Sequence, residues 1–264
     1  MKNILFYMFV AIFFLTSCEK VIDLKLKDNT QKLVIEANIN DGAAPYFVTL
    51  SKTVRFSESS IYPPVTDAVV IISDDAGNTD ILTHIGNGKY QTNSLVGTQG
   101  RTYRLKVTAE GKTYEATSKM PIKVPLDELK VVPSPFGGDI NKFILPVYTD
   151  PITFGNNYRF TFSINGKIVK TDYLQINDNL GNGQTNEFSI GSSDADVNMK
   201  KGDNISVEMQ CIDENVYLYY FTLSSLVGNG GSGATPANPV NNITSGALGV
   251  FSAYTTESKS IVIP

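Results

Sequence analysis

Short apolar segments that end at turn residues recur along the first half of the chain. The pattern is clearest at residues 101–108, where Tyr103, Leu105 and Val107 fall on one face of an extended chain and polar residues occupy the other. Alternation with this period is typical of a strand that has one face in a hydrophobic core. The same reasoning predicts strands at residues 33–39, 46–50, 68–73, 79–84, 89–92, 101–108 and 112–118.

The order of these strands predicts a β-sandwich. Residues 33–39 and 46–50 flank a turn signal, Asn40-Asp41-Gly42, and are expected to form a hairpin. Residues 68–73 form a continuous apolar run, which predicts a strand buried on both faces. Short strands at this spacing are typical of an immunoglobulin-like sandwich, here over residues 32–120. The paired cysteines and the Trp of antibody domains are absent from this segment, so the predicted likeness is architectural.

The second half of the chain is also rich in apolar segments, but their spacing is less regular. Pro121 and Pro125 exclude a helix and predict an extended linker over residues 121–127. A second, β-rich domain is expected over residues 128–264, with a two-residue hairpin turn at Asn165-Gly166. Its predicted strands lie at residues 129–132, 143–149, 158–164, 167–170, 204–212, 247–254 and 259–263.

One helix is predicted, over residues 214–227. Asp213 can cap its first turn, Glu214 suits the positive end of the helix dipole, and Gly228 provides a stop signal. Its apolar side chains recur at helical spacing along one face. We expect this stripe to pack against the second sheet; a ligand surface of aromatic side chains is the alternative. The stripe comprises Val216, Tyr219, Tyr220, Leu223, Leu226 and Val227.

The chain begins with the features of an export signal. A charged start precedes twelve uninterrupted apolar residues at positions 4–15, and a membrane-spanning helix requires a longer run of roughly 20 residues. The run ends in Leu15-Thr16-Ser17-Cys18, which resembles the bacterial lipoprotein signal, where cleavage leaves the cysteine to carry lipid. The sequence therefore predicts a signal peptide at residues 1–17, a tether at residues 18–31 and lipidation of Cys18. An ordinary cleaved signal with an incidental cysteine is the alternative.

Composition narrows the function classes. Of the 264 residues, 42% are hydrophobic and 18% are charged, which is typical of a globular protein and argues against wholesale disorder. The net charge is -4 and no block of five Lys or Arg residues occurs, so a nucleic-acid partner is not expected. If Cys18 carries lipid, Cys211 has no disulfide partner and is expected to be a small buried residue. A reactive thiol is the alternative, but no His neighbours Cys211 in the sequence.

The sequence predicts no catalytic residue, no metal site and no cofactor. His84, the sole histidine, lies in an apolar segment without a nucleophile motif, so a partly exposed strand residue is expected. Residues 74–78 and 192–203 hold several side-chain oxygens; turn formation is expected there, and calcium binding is the alternative. The adjacent carboxylates Asp213-Glu214 are expected to serve the helix start and not the hydrolysis of a glycosidic bond. The glycine-rich residues 228–234 lack a phosphate-loop motif and are expected to form a linker.

The order of several segments along the chain resembles that of a known family. They are CEKVIDL at 18–24, SDDAGN at 73–78, GRTY at 100–103, DP at 150–151, NYRF at 157–160, GDNISVE at 202–208, NPVNNI at 238–243 and GALGVFSAY at 246–254. On these residues the chain resembles the family called domain of unknown function 4249, lipoproteins of the Bacteroidota. The resemblance implies a setting beside TonB-dependent outer-membrane receptors, and it brings no catalytic residues to carry over.

The leading functional hypothesis is a non-enzymatic protein that is held on the outer membrane by lipid on Cys18. It would assist a TonB-dependent receptor by capturing a ligand or by docking on the barrel. A structural or adhesion module of the cell envelope is the runner-up, and an enzyme that uses His84 or a loop carboxylate is third. Acidic residues shortly after a lipidated cysteine resemble a surface-export tag. Glu19 and Asp23 follow Cys18 in this way, although lysines are interleaved with them, so the cell surface is favoured over the periplasmic face. The sequence assigns no ligand.

Overall fold

Strands make up most of the structure. The computed structural model describes residues 31–54, 61–133, 142–169, 174–177, 182–186, 188–191, 199–228 and 238–264. The predicted signal peptide, Cys18, most of the tether and of the glycine-rich segment, and the Val227 side chain lie outside the described residues. The elements are β1 Leu33–Asn40, β2 Phe47–Lys52, β3 Val69–Asp74, β4 Thr79–Ile81, β5 Thr83–Gly86, β6 Lys89–Gln91, β7 Thr102–Ala109, β8 Lys112–Lys119, β9 Glu128–Pro133, β10 Lys142–Val147, β11 Asn157–Ile164, β12 Lys167–Ile168, β13 Leu174–Asn177, β14 Asn204–Ile212, α1 Glu214–Gly228 and β15 Leu248–Val262. No helix in these ranges has both the length and the apolar character needed to cross a membrane.

Two sheets form the predicted sandwich around one core. One sheet has the order β4-β3-β7-β8. The other has the order β15-β1-β2-β6-β5 in this region, and β1 and β2 form the predicted hairpin. Alternate residues of the strands fill the space between the sheets, and the core includes Ile35, Val48, Ile72, Tyr103, Leu105 and Phe251. The prediction of a mainly β fold with an immunoglobulin-like sandwich is therefore confirmed.

Strand β3 is buried on one face only. The continuous apolar run at residues 68–73 predicted burial on both faces. In the structure Val70 and Ile72 are buried, whereas Val69 is 52% exposed and Ile71 is half-buried. The prediction was wrong because β3 packs one face on the sandwich core and presents the other at the surface.

The predicted strand at residues 79–84 is divided at Leu82. β4 pairs with β3 in one sheet, whereas β5 pairs with β6 in the other. Leu82 is buried, and its N–H donates to the carbonyl oxygen of Val70 at 2.9 Å. The chain therefore crosses between the sheets at a residue that is anchored in the core, a switch that no local pattern signals.

The second half extends the larger sheet. β14 pairs antiparallel with both β11 and β15, while β9 and β10 form a separate two-stranded sheet. Asn165 and Gly166 have φ angles of 51° and 78°, and Ile164 pairs with Lys167, which confirms the predicted hairpin turn. β13, which the sequence analysis did not predict, pairs with β11. A second core includes Tyr158, Phe160, Ile205, Val207 and Met209.

The last strand, β15, joins the two halves. Two strands were predicted at residues 247–254 and 259–263, but Leu248–Val262 is continuous. Its residues 248–254 pair parallel with β1, and its residues 255–262 pair antiparallel with β14. The prediction of two strands was wrong because residues 255–258, which separated them in the prediction, pair with β14 and continue the strand.

The predicted domain division is crossed by this sheet. Residues 31–264 form one compact unit. Phe251 and Ala253 fall in the predicted second domain, residues 128–264, yet both are part of the N-terminal core. The linker at residues 121–127 and the independence of the two domains stay predictions. The N-terminal core nevertheless includes a strand supplied by the far end of the chain.

Helix α1 begins at the predicted capping residue. The N–H of Val216 donates to Oδ1 of Asp213 at 2.9 Å, and the helix ends at Gly228. The other carboxylate oxygen of Asp213 accepts a hydrogen bond from the N–H of Lys119 at 2.9 Å and another from the Ser118 hydroxyl. Asp213 thus caps the helix and ties its start to β8. These bonds explain the carboxylate structurally, as the sequence analysis expected.

Candidate functional site

A groove lies between α1 and the outer face of the larger sheet. Successive side chains of a strand point to opposite faces, and the odd-numbered residues of β1 are buried in the sandwich core. Glu36, Asn38 and Asn40 therefore point outward. The same alternation buries Val48 and leaves Phe47 and Thr49 of β2 on the outer face. These outward residues form the floor of the groove.

The strand register aligns the floor residues in a row. Glu36 lies opposite Val250 on one side and Thr49 on the other, and Thr49 lies opposite Lys89. Because neighbouring strands are about 4.8 Å apart, these side chains stand next to one another across four strands. Nζ of Lys89 lies 3.7 Å from the centroid of the Phe47 ring, a cation–π contact that holds the amine along the floor.

Aromatic residues of α1 form the opposite wall. Tyr219, Tyr220 and Leu223 line the groove. The rings of Tyr219 and Tyr220 meet edge to face, with centroids 5.2 Å apart. The guanidinium of Arg159 lies 4.1 Å from the centroid of the Tyr220 ring, and its Nη1 donates to Oε1 of Gln210 at 2.8 Å. Side chains from β11 and β14 therefore brace this wall.

The apolar stripe of α1 packs on the sheet through some of its residues and lines the groove with others. Val216 and Tyr220 are buried in a cluster with residues of the sheet, as core packing predicts. Tyr219 and Leu223 are half-buried and line the groove. Leu226 is 40% exposed, so the predicted burial fails toward the end of the helix, where the stripe no longer packs on the sheet.

The groove encloses about 490 Å³, a volume within the usual range for small-ligand sites. Tyr254 stands beside Asn40 in the register of β15 with β1, and its hydroxyl accepts a hydrogen bond from Nδ2 of Asn40 at 3.4 Å. Burial raises the pKa of the Tyr254 phenol, and the bond from Asn40 opposes this only in part. Tyr254 is therefore a neutral hydroxyl at physiological pH. Ala43, Pro45 and Tyr46 complete the lining.

The lining offers two kinds of surface to a ligand. The helix side and β15 present aromatic and aliphatic groups, whereas β1, β2 and β6 present a carboxylate, amides, a hydroxyl, an amine and the Phe47 ring that contacts this amine. Among the described residues that line the groove there is no Ser, Cys or His. The arrangement can hold a molecule by stacking on one side and by hydrogen bonding on the other.

The sole histidine and the one described cysteine lie apart from the groove. His84 is exposed on β5, which confirms its placement on a strand, and its ring centroid lies 5.0 Å from that of Tyr90. Cys211 is 4% exposed, and the N–H of Val124 donates to its Sγ at 3.4 Å. Burial raises the pKa of the Cys211 thiol, so it stays protonated near neutral pH. The prediction of a small buried residue is confirmed.

The oxygen-rich turn at residues 74–78 is closed by its own hydrogen bonds. Oδ1 of Asp74 accepts from the N–H of Ala76 at 3.0 Å and of Asn78 at 2.9 Å, and Oδ2 accepts from Asn78 and Arg101. Burial alone would raise the pKa of Asp74, but these bonds outweigh it and hold the pKa below its ordinary value. Within the described ranges, no group of three His, Cys, Asp or Glu residues is placed to hold a metal ion. Turn formation therefore accounts for this segment.

The second oxygen-rich segment, residues 192–203, is described from Met199 onward. Oδ2 of Asp203 accepts from the N–H of Lys200 at 2.7 Å, and Oδ1 accepts from Nδ2 of Asn165 at 2.8 Å. These two bonds hold the pKa of Asp203 below its ordinary value. Asp203 thus closes the turn that precedes β14, as turn formation predicts.

Comparison with known proteins identifies the family of the chain. The sequence model of the family described as "Domain of unknown function (DUF4249)" matches residues 19–260. The chain belongs to this family. The resemblance to this family, which was stated from the sequence segments, is thereby confirmed, and the lipoprotein character stays a prediction. A comparison with curated proteins finds no match.

One solved structure similar to this DUF4249 protein contains fibronectin repeats. It is a two fibronectin type-III domain segment from chicken tenascin, with 10% sequence identity, covering 70% of this chain and 92% of that chain. The TM-score is 0.23. A score this low adds nothing to the description of the fold, so the sandwich assignment rests on the strand order described above.

Sequence analysis found only the helix side of the groove. Tyr219 and Leu223 were part of the predicted stripe, whereas Glu36 and Asn38 were predicted only as part of the strand at residues 33–39. Their outward position is visible in the alternation of β1. Their approach to Val250 is not, because β15 lies more than 200 residues later in the chain.

Proposed function

We propose that this protein is a non-enzymatic, lipid-anchored outer-membrane protein that captures a ligand and assists a TonB-dependent receptor. The observation that carries the proposal is the groove, which combines an aromatic wall and a polar floor in a volume of about 490 Å³. The lipoprotein signal that ends at Cys18 supports the membrane anchor. The resemblance to lipoproteins that accompany such receptors supports the partner.

The groove residues of β1 lie close in the sequence to the predicted anchor at Cys18. Leu33 follows Cys18 by 15 residues, a stretch that can span at most about 50 Å. β1 rises by roughly 23 Å from Leu33 to Asn40, and the groove residues Glu36, Asn38 and Asn40 occupy its later part.

Mass spectrometry of the membrane-extracted protein tests the anchor. We expect an acylated peptide that begins at Cys18, and we expect the Cys18→Ser variant to leave the membrane fraction. Protease treatment of intact cells should then remove the mature chain, because the surface face is the favoured location. An unmodified Cys18 would contradict the anchor, and full protection from protease would place the protein on the periplasmic face.

Affinity purification of the tagged, full-length protein from solubilised membranes tests the partner. We expect a TonB-dependent receptor to co-purify with the native protein. The Cys18→Ser variant serves as the control, because it should accumulate without meeting the receptor in the membrane. Reproducible absence of a receptor would overturn the partner, and turnover of glycan or peptide substrates by the purified protein would overturn the non-enzymatic role.

A structural or adhesion role is the second candidate, and one observation favours it. A cavity of about 680 Å³ beside the predicted linker is lined by Ile122 and Phe154, which are 65% and 78% exposed. Exposed apolar side chains around one cavity are typical of a protein contact. This role predicts that deletion of the gene alters envelope integrity without an uptake defect. Ligand capture predicts the opposite phenotype.

A further inference from the structure

We propose that the groove binds a neutral oligosaccharide, an inference that rests on the capture function proposed above. A sugar ring has apolar C–H faces and a rim of hydroxyl groups. The groove offers an apolar wall along α1 and β15 and a polar floor along β1, β2 and β6. The two surfaces of the ligand and the two surfaces of the groove therefore correspond.

The wall provides stacking surface for sugar rings. Tyr219 and Tyr254 are half-buried, so part of each side chain is fixed by packing and part remains available to a ligand. Tyrosine side chains offer large contact areas at a low cost in conformational entropy, because few torsions must be ordered. Leu223, which is also half-buried, adds an aliphatic surface to the wall.

The floor provides hydrogen-bonding groups of both kinds. The carboxylate of Glu36 accepts hydrogen bonds, the amine of Lys89 donates them, and the amide of Asn38 does both. The register places Thr49 between Glu36 and Lys89. Each sugar hydroxyl can donate and accept, so a row of alternating donors and acceptors can be satisfied without leaving a polar group unpaired.

An extended peptide is disfavoured by the pairing of the floor strands. Peptides that add to a sheet need an open edge with unpaired backbone groups. β1 is paired with β15 on one side and with β2 on the other, and β2 is paired with β1 and β6. The floor is thus the face of an interior part of the sheet and offers side chains only.

Charged and fully apolar ligands are disfavoured by the floor side chains. Lys89 is the single cation among the described lining residues, and Glu36 stands in the same row, so an anion gains little net attraction. An apolar ligand would strip water from Glu36 and Asn38 without replacing its hydrogen bonds, which is unfavourable. A neutral, hydroxyl-rich molecule avoids both costs.

The test uses the full-length protein in detergent. An array of neutral oligosaccharides is the first probe and a library of short peptides is the second, with affinities then measured by calorimetry. We expect oligosaccharide binding that weakens at least about tenfold in Tyr219→Ala, which removes a stacking surface, and roughly five- to tenfold in Glu36→Gln, which replaces a charged acceptor with a weaker neutral one.

Matched variants outside the groove provide the controls. Phe221→Ala removes an aromatic ring from the same helix, where Phe221 is 50% exposed, and Glu115→Gln neutralises an exposed glutamate on β8. Both should bind the oligosaccharide within about twofold of the native protein. Thermal unfolding of all four variants separates loss of binding from loss of fold.

The outcomes separate the two proposals. Peptide binding that is lost in Tyr219→Ala would overturn the sugar inference and leave the capture function in place. Oligosaccharide binding that is equally weakened by Phe221→Ala, or unaffected by Glu36→Gln, would overturn the groove as its site. If a folded protein binds neither probe but still retains a receptor, the inference fails and the receptor role stands.

Discussion

Single buried carboxylates organise the loops around the sandwich. Asp80 is 4% exposed, and its Oδ2 accepts hydrogen bonds from the N–H groups of Asn93, Ser94 and Leu95 at 2.9, 2.7 and 2.8 Å. One side chain on β4 therefore fixes the start of the loop after β6. Sequence analysis singled out the Asp74 turn and missed Asp80, because the donors to Asp80 lie 13 to 15 residues away.

Asp80 should stabilise the fold in a pH-dependent manner. Burial alone would raise its pKa, but the bonds from Ser94, Leu95 and Asn93 outweigh it and hold the pKa below the ordinary value of 3.8. Because the folded-state pKa is the lower one, the stabilisation is present above the unfolded-state value and is lost as pH falls through the folded-state value. We expect Asp80→Ala to lower the free energy of unfolding at neutral pH by roughly 2–4 kcal/mol, since three N–H groups lose their acceptor.

Urea denaturation of the native protein and of Asp80→Ala, from neutral pH to about pH 3, measures this difference. The gap between the two proteins should narrow toward acid, because the native carboxylate becomes protonated. Asp67→Ala is the control, since Asp67 is exposed, and it should change stability by less than about 0.5 kcal/mol. Equal effects of the two substitutions at neutral pH would contradict the role of Asp80.

At the scale of elements, the sequence predicted an element correctly where the residues that stabilise it lie close together in the chain. The Asn165-Gly166 turn and α1 with its Asp213 cap were predicted because their partners lie within a few residues. Predictions failed where distant strands decide the outcome. Leu82 marks a change of sheet, and Leu248–Val262 is one strand because β1 and β14 pair with its successive parts.

The Asp213 cap should matter beyond the helix itself. Asp213→Ala removes the acceptor of the Val216 N–H and of the bonds from Ser118 and Lys119, so we expect the free energy of unfolding to fall by about 1–3 kcal/mol. Asp213→Asn keeps an oxygen at the cap and should cost less. Glu214→Ala, in the same first turn, is the control. Urea denaturation measures all three, and a loss in Glu214→Ala that equals the loss in Asp213→Ala would contradict the assignment.

At the scale of the whole molecule, the groove and the sheet depend on both halves of the chain. β1, β2 and β6 supply the floor from the first half, whereas β15 and α1 supply the wall from the second. Sequence analysis could predict each strand and helix, but the parallel pairing of β1 with β15 brings together residues that no periodicity connects. The assembled groove was therefore beyond prediction, even though its helix side and most of the strands that form it were predicted.

The contribution of β15 to the core of the N-terminal sandwich predicts how the chain folds. A fragment of residues 31–127 lacks Phe251 and Ala253, which fill the sandwich core, and leaves the backbone of β1 unpaired on one side. We expect this fragment to lack cooperative thermal unfolding and dispersed amide resonances, because a small sandwich that loses core residues and a central strand falls below the margin of stability. Adding a synthetic peptide of residues 238–264 should restore both signals.

A peptide that carries Phe251→Asp is the matched control, because a charge at this buried position cannot enter the core. Restoration by the native peptide alone would show that β15 completes the sandwich. A fragment that unfolds cooperatively without any peptide would instead support the division predicted from the sequence, with residues 32–120 as an independent domain. The groove would then be a surface between two stable bodies, and its variants should alter binding without altering the stability of either.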